Sequence, residues 1–235
     1  VSPVSRFVSA VRLSLLLQLR YGFLYAAAFV GVLYAALLVP LPGAVLEVAA
    51  PLVVFAELAV VGYYFIAGMV LFEKAERTLY ALTVTPLRLS EYLGSRLATL
   101  TLLASVLSLA VVTVVYGFDF DAALLLTGVV LLSLISLLAG FVSVLPFDSV
   151  TRYLIPSQIP MFVMALPLVP FLGLWQSPLF YLAPTHGALI LLGAAFGTPA
   201  PVWQILYAVL YGMLCILVLY LAARLLFYRY VVRGR

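Results

Sequence analysis

The stretch AALLLTGVVLLSLISLLAGFVSVL, residues 122–145, contains no charged side chain. A helix needs about 20 apolar residues to cross roughly 30 Å of hydrocarbon, so this stretch reads as one membrane span. Moving toward the N-terminus, a tight acidic turn at Gly117, Phe118, Asp119, Phe120 and Asp121 separates it from a second such stretch over residues 92–116. On the other side a polar connection over residues 146–156, with Asp148 and Arg152, leads to an apolar run over residues 157–174. Pro160, Pro167 and Pro170 predict that this run is kinked. Further spans are expected over residues 21–39, ended by Pro40, Pro42 and Gly43, over residues 51–72, and over residues 202–226. Residues 175–201 fit neither a span nor a plain loop. Their apolar piece, residues 187–196, is too short to cross and is bracketed by Pro178, Pro184, Pro199 and Pro201, which predicts a re-entrant or interfacial hairpin.

Composition agrees with a membrane protein and excludes a soluble domain. Of 235 residues, 67% are hydrophobic and only 9% charged, with mean hydropathy +1.28, whereas soluble domains are about one quarter charged. The expected fold is therefore an all-α integral membrane protein with six transmembrane helices, one membrane domain filling residues 1–235. The net charge of +4 does not indicate nucleic-acid binding, because the basic residues are dispersed among span ends and form no continuous patch. Cys215, the single cysteine, excludes a disulfide framework. The single histidine, His186, has no second ligand near it in sequence and is placed at the surface of the outer hairpin. No small-residue cleavage site precedes the first spans, so no removable signal peptide is expected.

All 12 lysines and arginines fall on one side of the six-span arrangement. Arg6, Arg12 and Arg20 precede the first span; Lys74, Arg77, Arg88 and Arg96 follow the second; Arg152 follows the fourth; Arg224, Arg229, Arg233 and Arg235 close the chain. The positive-inside rule makes that side cytoplasmic, with both termini inside and the chain in the cytoplasmic (inner) membrane. Within residues 1–20, Val4, Phe7, Val8, Val11 and Leu15 share one helical face while Ser5, Arg6, Ser9, Arg12 and Arg20 share the other. This predicts an amphipathic helix lying in the interface, with Ser14 and Gln18 interrupting its apolar face. The alternative is one long helix over residues 4–38 entering the membrane directly.

The most polar stretch is FEKAERTLYALTVTPLRLSEYLGSR, residues 72–96. Glu73, Lys74, Glu76 and Arg77 carry the second span beyond the membrane, with i, i+4 spacing between Glu73 and Arg77. Thr85 followed by Pro86 has the chemistry of a helix start, and Leu87 gives that helix an apolar side. Read plainly, this is a charged loop that sets topology. It also resembles the cytoplasmic loop of ABC-2 type transporter permeases, through Glu73, Glu76, Arg77, Thr78, Leu79, Leu82, Thr85, Pro86, Leu87, Glu91 and Leu93. Its wording is most similar to the fluoroquinolone export group. Many members of that wider family place a glycine between the arginine and the threonine, and this chain has none. The resemblance implies that residues 73–92, with Arg88 among them, form a coupling loop docked on a separate ABC ATPase subunit. It also implies pairing with a second permease copy or paralogue, and ATP and Mg held by the ATPase rather than by this chain. The pattern Gly-x-x-x-x-Gly-Lys-Ser/Thr occurs nowhere in the sequence, so a phosphate loop must come from elsewhere.

Glu57 is the one acid well inside an expected span and is for that reason a functional candidate. Tyr63 and Tyr64 on the same span, with Met161, Phe162 and Met164 on the fifth, are candidates for an adaptable wall along a transport pathway. A proton-driven secondary carrier with Glu57 as proton site is the rival within transport. A membrane enzyme or a structural anchor is the rival outside it, but no serine, histidine and acid constellation points to hydrolysis and no cofactor-binding motif is evident.

Overall fold

The computed structural model describes residues 3–81 and 89–232, and the described residues contain helices and turns but no strand. Helices α1 (Pro3–Arg20) and α2 (Phe23–Leu38) meet at an elbow. Their axes differ by 65°, and Gly22 supplies the left-handed backbone (φ 77°) that the bend requires. Helix α3 (Gly43–Ala56) continues through a π turn at Glu57–Val61 into α4 (Gly62–Ala75). The short α5 (Thr78–Ala81) precedes the long α6 (Leu89–Tyr116) and α7 (Ala122–Val144). Three short helices follow, α8 (Val150–Leu154), α9 (Gln158–Ala165) and α10 (Leu168–Phe171). A 3-10 turn at Pro178–Leu182, α11 (His186–Ala195) and α12 (Val202–Phe227) complete the bundle, with a terminal π turn at Tyr228–Val232.

Four continuous helical stretches are long and apolar enough to cross a membrane, Val45–Ala75, Leu89–Tyr116, Ala122–Val144 and Val202–Val231; the bent α1–α2 pair makes a fifth if taken as one span. The second expected span starts earlier than its sequence suggested, because Pro51 sits inside α3 rather than at its start. The run over residues 157–174 is broken rather than merely kinked, since prolines inside or beside each short helix remove donors and crowd the preceding turn. Its pieces nevertheless follow the height of the bundle. Asp148, just before α8, lies 3.5 Å from Lys74 at the end of α4. Phe171, at the end of α10, packs over Gly193, near the place where the Ala195 carbonyl accepts from the Asp121 amide at 3.0 Å.

Helix α7 is the central post, packed against α4, α6, α11 and α12. In lipid no hydrophobic force drives helices together, so close approach through small residues supplies the packing. A Cβ on Gly140 would lie 2.3 Å from the Tyr63 carbonyl oxygen, and one on Gly187 would lie 2.7 Å from the Ala208 Cα. These positions fix how α4 meets α7 and how α11 meets α12. Asp121 caps α7 by accepting from the amides of Ala123 and Leu124 at 2.9 and 3.1 Å.

Two sequence expectations need correction. Ser14 and Gln18 do not merely interrupt an apolar face of α1; they are its buried face. Gln18 donates to Thr99 on α6 at 2.7 Å, and the Ser14 and Thr99 hydroxyls are 2.9 Å apart, while Leu13, Leu15, Leu16 and Leu19 point outward. An outward-facing leucine row loses nothing when the surroundings are lipid tails, whereas the polar pair needs partners. His186 is likewise not at the surface: it is 9% exposed, because α11 is wedged between α7 and α12.

Candidate coupling end and membrane interior

The charged residues at the end of α4 divide into two kinds. Glu73 is 4% exposed and accepts from the Arg96 guanidinium and the Tyr92 hydroxyl, both on α6. Lys74, its neighbour, points to another side of the helix, as successive helical residues must. Its ammonium donates to the carbonyls of Leu145 and Phe147 at 2.6 and 2.7 Å. Those carbonyls follow the last turn of α7, where acceptors lack intrahelical partners. Adjacent residues thus tie α4 to both α6 and α7. The sequence offered no sign of this division, since Glu73 and Glu76 are spaced to share one helical face.

Glu76 is exposed and accepts from the Tyr21 hydroxyl at 2.7 Å. Tyr21 also stacks on Phe72, with ring centroids 5.4 Å apart, so the α1–α2 elbow rests on the end of α4. The Thr78 hydroxyl donates to the Glu73 carbonyl at 3.1 Å and closes the helix end. Leu79 is fully buried, and Glu91 occupies the first turn of α6, where the helix dipole favours an acid. Thr85, Pro86, Leu87 and Arg88 lie outside the described residues.

Arg77 ends α4 in the left-handed region at φ 60°, the one non-glycine residue with positive φ among those described. With no glycine after it, the arginine itself makes the turn. That conformation costs a residue with a Cβ about 1–2 kcal/mol, so Arg77→Gly is expected to raise thermal stability in detergent while Arg77→Val lowers it. Equal melting temperatures for the two variants would contradict the strain.

The residues considered for a pathway do not share one wall. Glu57 opens the π turn, is 5% exposed, and has one carboxylate oxygen without a hydrogen-bond partner among the described residues. It lines a cavity of about 40 Å³ with Ala27 from α2, Leu100 and Leu107 from α6, and Ser133 from α7. That volume holds a water molecule or two but not a drug. Tyr63 and Tyr64 face elsewhere: the Tyr64 hydroxyl lies 3.2 Å from the Ser157 hydroxyl and accepts from Gln158 at 2.8 Å, and Tyr63 stacks on Tyr153. Met164 is buried and its carbonyl accepts from Thr185 at 2.6 Å. Met161 is half-buried and Phe162 points out of the bundle, 69% exposed. No group of histidine, cysteine and acid side chains suited to a metal ion exists among the described residues.

A larger cavity, not anticipated from the sequence, lies at the opposite end of the bundle. It measures about 460 Å³ and is bordered by Glu47, Phe171, Phe180, Tyr181, His186 and Gln204 among others. The proline spacing marked this region as a hairpin, but only the burial of α11 makes it a wall.

A bundle of long apolar helices around a central post, with the lysines and arginines of α4, α6 and α12 at one end, has the build of a multi-pass membrane protein. The comparisons specify it further. The fluoroquinolones export permease protein family matches residues 5–235. Fluoroquinolones export permease proteins of Mycobacterium tuberculosis strains CDC 1551 / Oshkosh and ATCC 25618 / H37Rv are each 45% identical over 233 residues, covering 98% of both chains. The chain belongs to the fluoroquinolones export permease family, and it is a membrane transport subunit.

Proposed function

We propose that the chain is the membrane half of an ATP-driven exporter that moves amphipathic compounds, fluoroquinolones among them, out of the cell. In this reading it crosses the inner membrane six times, the broken α8–α10 segment being the fifth crossing, with both termini in the cytoplasm. Residues 73–92 dock on a separate ABC ATPase that holds ATP and Mg, and a second permease copy or paralogue completes the transporter. The observation that carries the reading is the construction of the charged end. Glu73 and Lys74 are spent on tying α4 to α6 and α7, which leaves Glu76 and Arg77 exposed beyond a stiffened base. A push on the loop would then move the helices as a rigid body rather than bend one helix end.

The test is ATPase copurification together with export from vesicles supplied with ATP. Leu87→Asp is expected to leave the permease inserted yet to abolish both readouts, because it buries an unpaired charge in the docking surface. Arg88→Glu is expected to weaken docking in a salt-dependent way. A second reading, a proton-coupled carrier, is favoured by one observation only, the buried Glu57 with an unpartnered oxygen beside a cavity. Export that persists without any ATPase and collapses with the proton gradient would select it.

A further inference from the structure

The cavity of about 460 Å³ at the end of the bundle away from Lys74 has the size of a small-molecule site. Its lining has a definite chemistry. Glu47, exposed on the first turns of α3, is the one acidic side chain among the lining residues, and no lysine or arginine borders the space. Glu47 forms no ion pair with any described residue.

Aromatic rings form much of the remaining wall, from Phe171, Phe180 and Tyr181. Tyr181 is fixed before any ligand arrives. Its ring stacks on Trp203 at 5.9 Å and meets Tyr207 edge-on at 5.1 Å. Its hydroxyl accepts from Gln204 at 3.0 Å, and its carbonyl accepts from the Tyr207 hydroxyl. A ring held in this way loses little freedom when it stacks on a flat molecule. His186 borders the same space, lies 4.7 Å from the Tyr181 ring, and has a buried Nδ1 without a hydrogen-bond partner among the described residues. A buried nitrogen without a partner is costly, and a polar atom of a bound molecule would satisfy it.

We propose that this cavity is a binding site for a planar aromatic compound bearing a protonated amine, with the amine at Glu47, the ring system against Tyr181 and Phe180, and a polar ring substituent at His186. The site lies at the end of the bundle where an exported compound would leave. It rests on the export reading above for its physiological meaning, but not for its existence, since binding needs neither ATP nor an ATPase.

The experiment measures fluorescence polarisation of proflavine, a planar aromatic cation, on the full-length permease purified in a neutral detergent without ATPase. Saturable binding is expected. Glu47→Gln should weaken it about tenfold or more, the ratio expected from loss of one charge-assisted contact, and Tyr181→Leu should weaken it through lost stacking. The planar anion 9-anthracenecarboxylate should compete poorly with the wild type and relatively better with Glu47→Gln. Because Glu47 is exposed, its variant is expected to keep the wild-type melting temperature. Unchanged proflavine affinity in Glu47→Gln, or equal competition by the anion, would overturn the proposal. Displacement of proflavine by glycerophosphocholine at equal concentration would also overturn it, assigning the site to a lipid headgroup. Normal binding together with absent ATP-driven export would leave the site standing and count against the coupling reading instead.

Discussion

Glu73→Ala should cost the permease about 3–5 kcal/mol, the penalty for removing one partner of a buried ion pair. The Arg96 guanidinium and the Tyr92 hydroxyl are both buried against that carboxylate, and neither can reach water once it is gone. Total stabilities of domains run about 5–15 kcal/mol, so the loss should appear as poor recovery and a much lower melting temperature in detergent. The decisive comparison is the double variant Glu73→Ala with Arg96→Met, because removing both charges also removes the desolvation cost. It should recover most of the lost stability, and the coupling energy follows from the four-protein cycle. If Glu73→Ala melts like the wild type, the pair is solvated in the working protein and cannot stiffen the base of the loop.

Gly140→Val should be comparably damaging, by a different route. The first carbon of any side chain there would sit 2.3 Å from the Tyr63 carbonyl oxygen and 2.9 Å from a methyl of Ile66. Neither a helix backbone nor a buried isoleucine can retreat without separating α4 from α7, so a loss of about 3 kcal/mol or more is expected. Gly62→Ala is the control, since its Cβ would meet only the Ser136 Cβ at an ordinary 3.6 Å. Thermal denaturation of the two variants side by side should separate a close helix crossing from the general cost of replacing glycine. A Gly140→Val protein as stable as Gly62→Ala would mean that α4 and α7 are further apart than described.

Much of the fold was legible because hydrocarbon allows few solutions. Helices α6, α7 and α12 coincide with uninterrupted apolar stretches, and the described cations of α4, α6 and the last turn of α12 lie at one end, as their spacing along the chain required. Proline was the weaker guide. Pro51 is absorbed within α3, whereas Pro160, Pro167 and Pro170 divide their segment into separate helices. What differs is the supply of partners for the freed backbone groups, which the local sequence does not record. Length makes the short α11 part of a re-entrant or interfacial hairpin, and only Gly187 and Gly193 hint in the sequence that it packs tightly between α7 and α12. Of the candidate site, the loop was recognisable from its motif, but the inward turn of Glu73 depends on Arg96 on another helix. Pairings of that kind are set by tertiary packing and leave no periodic trace.

The polar contacts between helices also divide the bundle mechanically. At one end the ties run between α4, α6 and α7, through Glu73, Lys74 and, further in, a hydrogen bond of 3.2 Å between Ser133 and Thr101. At the other end they join α12 to the turn before α11, through Gln204, Tyr207 and Tyr211. Between α7 and α12 no side-chain hydrogen bond occurs among the described residues, and the contact consists of surfaces such as Leu131 over Gly212 and Phe141 against Phe227. Directional bonds resist sliding far more than dispersion contacts do. The seam along α7 and α12 therefore resists sliding less than the tied ends do, and it runs the length of the central post.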